Sequence, residues 1–226
     1  MLFLTSYVNI IVKRIKIKYP EANLDLEKRK AVRTMLKLLT VFKKNYPEIS
    51  GKCEKVHDML NLFLSKNLLI SKNKKNLLLA ARIYLIGMTR IPLDIRKKVE
   101  RGEILNQQEE IIFQEYPNHN LDIIKQHYRD EYDNEIFVSA LQSHKERFDG
   151  RGGPNKISKY SNYQTTYILS MFDKFYDNYQ INHDIDQALN LIDKDNGCID
   201  PYWIDILKEN FKNKSFREEI KKILNS

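Results

Sequence analysis

The segment His144-Lys145-Glu146-Arg147-Phe148-Asp149-Gly150-Arg151-Gly152-Gly153-Pro154 gathers an imidazole, an ammonium, two carboxylates, two guanidiniums and a Gly-Gly-Pro turn within eleven positions. An imidazole with carboxylates can ligate a metal ion, and guanidiniums can hold a phosphate. The same residues also read as a helix C-terminus closed by a glycine loop, which composition and spacing alone favour. The five histidines (His57, His119, His127, His144 and His183) are scattered, whereas a metal site needs several donors at one point. His57-Asp58 follows charged residues in the middle of a helical pattern and reads as a chance pairing. There is no Walker loop and no Gly-x-Ser-x-Gly elbow, and neither Cys53 nor Cys198 has a nucleophile's surroundings.

The glycine-loop segment resembles the HD-GYP domains, all-helical metal-dependent phosphodiesterases of cyclic di-GMP, whose pattern is His-His-Glu-Arg-Trp-Asp-Gly-x-Gly-Tyr-Pro. Here His144, Glu146-Arg147, an aromatic residue, Asp149-Gly150 and a Gly-x-Pro ending are kept. Lys145 stands for the second His and Gly153 for the signature Tyr. The likeness extends over roughly residues 48–211: the Leu-rich run 77–83, Gly87 with Ile91-Pro92, the stretch Gly102 to Pro117, residues 167–173 and Asp200-Pro201. It implies an all-α, HD-domain-like helical bundle over residues 48–226, with residues 1–47 as an N-terminal helical extension.

The resemblance also assigns metal-ligand positions, and most are vacated. Its first His falls at Lys52, with a Glu one turn earlier at Glu48. The His-Asp pair falls at Tyr84 and Leu85, the phosphate-side Lys at Met88 and a further His at Tyr116. At most Glu48, His144 and Asp173 remain as metal candidates. A multinuclear iron or manganese centre needs many lone pairs and compensating negative charge. Leu85 has neither, and protonated lysines at 52 and 145 repel a metal cation. Neither metal nor other cofactor is expected. Tyr84 and Tyr116 are expected to fill the volume instead, and Lys145 to pair with Asp173 or Glu48.

These residues must be carried by helices. Apolar residues recur at helical spacing over 24–45 and again over 56–64, with Pro47 as a stop and Ser50-Gly51 as a restart. Residues 77–85 are apolar almost all round and predict the central buried helix. Residues 93–106 read as a charged loop. Further helices are expected near 107–115, 119–128, 134–145, 161–180 and 184–194. Asp200-Pro201 predicts a capped helix start, and Ser215 to Glu218 a capping box for the last helix.

Composition narrows the function. A chain of 226 residues with 42% hydrophobic and 30% charged residues is a soluble globular protein with a sizeable core. Two cysteines make no disulfide framework, so a reducing cytoplasm is expected. Met1–Val12 is too short and too interrupted to cross a bilayer and reads as a first helix or a surface anchor. The net charge of +8 is spread over several clusters, so nucleic acid is not the expected partner. The reading is a catalytically inactive HD-GYP-like regulatory or protein-interaction module in bacterial cyclic-dinucleotide signalling. Its expected partner is another signalling protein, met through Arg147, Arg151 and Lys156 around the glycine loop, and Arg147, Arg151, Gly152, Gly153 and Pro154 are the expected ligand-binding residues. The alternatives are a cyclic di-GMP receptor without hydrolysis, using Arg90, Lys145, Arg147 and Arg151, and a residual phosphodiesterase.

Overall fold

The computed structural model describes residues 26–67, 74–127, 135–157 and 164–226, and among them all regular structure is helical. The helices are α1 (Leu26–Asn45), α2 (Pro47–Lys66), α3 (Lys74–Ala81), a 3-10 turn (Ile86–Arg90), α4 (Leu93–Glu100), α5 (Gln107–Gln114), α6 (Tyr116–His127), α7 (Glu135–Ser143), α8 (Gln164–Asn182), α9 (Ile185–Lys194), α10 (Pro201–Lys212) and α11 (Lys214–Asn225). The expected all-α bundle is therefore observed. The apolar stretch 1–12 lies outside the described residues.

α8 is the axis of the molecule. Tyr167, Ile168, Leu169, Met171, Phe172 and Phe175 are all buried, so it is apolar on nearly every side. It packs against α2, α3, α7, α9 and α10. α2 turns one stripe inward, with Cys53, Val56, Leu60, Phe63 and Leu64 at intervals of three and four. α1 adds Met35 and Phe42 to the same core.

Four expectations about elements are corrected. Residues 77–85 do not form one central helix: α3 ends at Ala81, and the chain tightens into the 3-10 turn. The cause is Asn120, whose side chain takes the Tyr84 carbonyl and the Gly87 amide that a continuing helix would use. α1 does end before Pro47, but the next helix starts at Pro47 itself and not at Ser50-Gly51, because the first helical turn needs no amide donor there. Residues 93–100 form α4, whose helical signal is faint because Ile95 alone is buried. The last helix is capped by Asn213, accepting from the Phe216 amide, two residues before the anticipated Ser215. Asp200-Pro201 does cap α10, the Asp200 side chain accepting from the Tyr202 amide.

Candidate functional site

Asp173, on α8, is buried to 1% exposure and is the centre of the site. Its two oxygens are shared among three donors from three other segments. The Tyr84 hydroxyl donates to Oδ1 at 2.7 Å, and Lys52 of α2 meets the same oxygen at 2.7 Å. Lys145, just past the end of α7, donates to Oδ2 at 2.8 Å. Lys52 also pairs with Asp177, one turn along α8 from Asp173. Burial alone would raise the Asp173 pKa, but the Lys145 and Lys52 ammoniums outweigh it and hold the carboxyl well below its ordinary range. Burial likewise opposes charge on both lysines, and the carboxylate outweighs it, so both stay protonated.

His144 lies beside this group but does not face it as a ligand. Its Nδ1 is 3.2 Å from the Leu141 carbonyl, which only accepts, so Nδ1 carries the proton. Nε2 then accepts from the Tyr116 hydroxyl at 2.8 Å. Burial, and next the Lys145 charge, push the His144 pKa down to about 3, so the imidazole is neutral. Tyr84 packs edge-on against the His144 ring at 5.1 Å, and Tyr116 packs tilted at 5.4 Å. Tyr84 thus touches both His144 and Asp173, and Tyr116 covers the Nε2 side of His144.

Asn120 of α6, fully buried, fixes this arrangement. It donates to the Tyr84 and Leu141 carbonyls at 2.7 and 2.8 Å and accepts from the Gly87 amide at 2.6 Å. A β-carbon at Gly87 would stand 2.0 Å from the Tyr116 carbonyl, so only glycine lets the 3-10 turn close against α6. Neither Asn120 nor this use of Gly87 is foreseen from the sequence. A lone Asn within a helical pattern carries no periodic signal, and its role exists only once α3, α6 and α7 meet.

The glycine loop is held from within. Buried Glu146 accepts from the Asn155 amide at 2.6 Å and the Ile157 amide at 3.0 Å. Gly152 lies against the chain it follows: a β-carbon there would be 2.3 Å from the Arg147 nitrogen. Arg147 is engaged by Asp149, by Asp195 at 2.8 Å and by the Asn196 carbonyl at 3.0 Å. Arg151 reaches Asp149 at 2.8 Å but is 76% exposed, so it keeps its outward face. The Gly153-Pro154 peptide is cis.

A cleft of about 360 Å³ opens beside Asp173 and Lys145, rimmed by Arg147, Lys174, Asp177 and Asp195. Its charges are matched: Lys174 meets Asp195 at 2.9 Å, Arg147 meets Asp195 and Asp149, and both lysines meet Asp173. A cleft so balanced presents little net field to an anion.

Of the three metal candidates, His144 and Asp173 come together and Glu48 does not. Glu48 is exposed in the first turn of α2. The residues at this site do not fit a metal. The lone pair of His144 is taken by a phenol, both Asp173 oxygens are taken by ammoniums and a phenol, and Leu85 supplies no donor. No cluster of three or more His, Cys, Asp or Glu exists among the described residues. His57 sits apart, its Nδ1 on the neighbouring Asp58 at 2.8 Å. Arg90 is drawn to Asp122 and Gln126, away from the cleft.

The HD domain family model matches residues 38–202, which is most of the chain. Among solved structures, Bd1817, an HDG"Y"P protein from Bdellovibrio bacteriovorus, is similar with a TM-score of 0.60 and 14% identity. That likeness covers 92% of this chain and 80% of Bd1817. A cyclic GMP-AMP-specific phosphodiesterase of V. cholerae is similar with a TM-score of 0.50 and 16% identity, over 88% of this chain and 53% of that one. This chain thus spans about half the length of the V. cholerae protein. No curated protein sequence matches it.

Proposed function

The chain belongs to the HD domain family, as an HD-GYP-like protein, and from that premise we propose that it is catalytically inactive and works as a regulatory or protein-interaction module in bacterial cyclic-dinucleotide signalling. The observation that carries this reading is the Lys52–Asp173–Lys145 group. Two ammoniums sit on the one carboxylate that would face a metal, and a phenol covers the one imidazole lone pair. Without a metal no hydroxide forms at neutral pH to attack a phosphodiester. The paired cations around the cleft also argue against a cyclic di-GMP receptor, since a dianionic ligand would have to displace internal carboxylates.

A partner would meet the outer side of the glycine loop. Arg151 and Lys156 are exposed there, and Lys156 is held in a left-handed backbone conformation with φ of 53°. Such a surface suits an acidic patch on a cytoplasmic signalling protein. No helix among the described residues is long and apolar enough to cross a membrane.

The test combines elemental analysis of chain purified without chelators with hydrolysis assays on cyclic di-GMP and cyclic GMP-AMP. Substoichiometric iron and manganese and no turnover are expected. Metal near one equivalent per chain with measurable hydrolysis would overturn the reading. Capture of a partner that Arg151→Glu abolishes, with the melting temperature unchanged, would support the interaction face.

A further inference from the structure

The cleft beside Asp173 is lined by charges of both signs and by one apolar wall. Asp173, Lys174, Asp177 and Asn178 stand on one side of α8, at spacings of three and four. Lys145 enters from the end of α7, and Leu191 and Ile192 of α9 form the wall.

These charges are paired, yet their bonding capacity is not used up. An ammonium carries three donors, and each carboxylate oxygen can accept. Lys145 gives one hydrogen bond to Asp173 at 2.8 Å and one toward the Tyr116 hydroxyl, and it is 37% exposed. Lys174 gives one to Asp195 at 2.9 Å and one toward the Cys198 thiol. Each lysine thus keeps a donor for the cleft. Asp177 meets Lys52 through Oδ1 and is 48% exposed. Its Oδ2 has no hydrogen-bond partner among the described residues. Asn178 gives its amide N–H to the Ala188 carbonyl at 3.5 Å, and its Oδ1 likewise has no donor among the described residues.

A ligand that uses both the spare donors and the spare acceptors must carry both charges. A bare anion would face Asp177, and a bare cation would face Lys145 and Lys174. A zwitterion meets each group with its opposite and leaves the internal pairs in place. Lys174 and Asp177 are three positions apart on one helix, so their β-carbons are about 5–6 Å apart. That short spacing suits a carboxylate and an ammonium on one carbon. Leu191, 41% exposed, offers an aliphatic surface beside them. A volume of about 360 Å³ is ample for such a molecule.

We propose that this cleft binds an aliphatic α-amino acid, its carboxylate on Lys145 and Lys174, its ammonium on Asp177 and Asn178, and its side chain on Leu191. Arg147, which ties the glycine loop to Asp195, lies on the same rim, so occupancy bears on the loop face. The inference rests on the reading of a metal-free, inactive centre. Metal-dependent hydrolysis would remove that reading beneath it, whereas a failed titration removes this inference alone.

Isothermal titration of the full-length chain with L-leucine tests it, with isocaproate and isoamylamine as probes that each keep a single charge. L-leucine is expected to saturate one site per chain, and each single-charge probe to bind at least about tenfold more weakly. Asp177→Asn should weaken L-leucine about tenfold without weakening isocaproate. Leu191→Glu, at a partly exposed position of α9, should weaken L-leucine with Tm unchanged. No saturable binding at millimolar L-leucine overturns the proposal. So does isocaproate binding as tightly as L-leucine, which would make the cleft an anion site. L-leucine affinity unchanged in both variants would place the amino acid elsewhere and overturn it too.

Discussion

If Asp173 is balanced by two ammoniums, removing them one at a time should cost unequal amounts. In Lys145→Met, Asp173 keeps Lys52 and the Tyr84 hydroxyl, each at 2.7 Å. A charged hydrogen bond contributes about 1.5–3 kcal/mol. Lys145 is 37% exposed, so solvent screening discounts this to about 1–2 kcal/mol. For a chain of this size that lowers Tm by about 2–8 °C. Lys52→Met with Lys145→Met leaves a carboxylate at 1% exposure with a phenol as its remaining donor among these partners, and should cost about 3–5 kcal/mol.

The pH dependence distinguishes this from mere lost packing. In the wild type the folded Asp173 pKa is depressed. Its contribution is therefore present above the unfolded value, about 4, and is lost only as pH falls through the lower folded value. In the double variant burial is unopposed and the folded pKa rises above about 4. Stability is then fully present below the unfolded value and lost as pH rises through the folded one. The gap between variant and wild type should narrow steadily from pH 7 to about pH 4. Thermal melts by circular dichroism at several pH values measure it. An unchanged Tm in Lys145→Met, or a gap independent of pH, would refute the reasoning.

Wild-type stability should fall as pH drops below 6.5, because neutral His144, with its pKa near 3, resists a proton that the unfolded chain accepts; His144→Leu should flatten that limb of a denaturant titration. Asn120→Ala strands the Tyr84 and Leu141 carbonyls and the Gly87 amide, and should cost about 3 kcal/mol or more in chemical denaturation. Gly152→Ala forces a β-carbon into the Arg147 backbone, so the loop should shift, seen as lost exchange protection at Asn155 and Ile157. Replacing the whole group by Lys52→Met, Tyr84→Phe, Asp173→Leu and Lys145→Met should leave Tm within a few degrees of wild type, since buried ion groups often exchange for apolar ones near neutrally.

The bundle is legible in the sequence because helical periodicity and caps are local. Leu24 to Phe42, Val56 to Leu64 and Asp200-Pro201 announce themselves without knowledge of their neighbours. The pairing of Lys145 with Asp173 is legible too, through the resemblance that sets both at one pocket, and the structure places them 2.8 Å apart. Lys52 reads as a cation at that pocket, but its second bond to Asp177 depends on one turn of α8 facing α2. The break at Ala81 is not legible, because the agent is a side chain thirty-nine positions further on whose effect needs the tertiary contact. Arg147 and Arg151 read alike in sequence, yet one is enclosed by Asp149 and Asp195 and the other faces solvent.

That difference between the two arginines bears on what the glycine loop is for. Arg147 binds the loop to the segment Asp195 to Cys198, where the Phe148 and Asp149 amides also donate to the Cys198 and Gly197 carbonyls. Glu146 ties the far side of the same loop to the amides of Asn155 and Ile157. A loop fastened at both ends by buried or enclosed charges holds its shape without any ligand. On the reading proposed above, a loop that keeps its shape without a ligand supports an interaction surface. Glu146 and Asp149 bind protein groups here, which leaves Arg151, held on Asp149, and Lys156 as the loop's outward-facing charges.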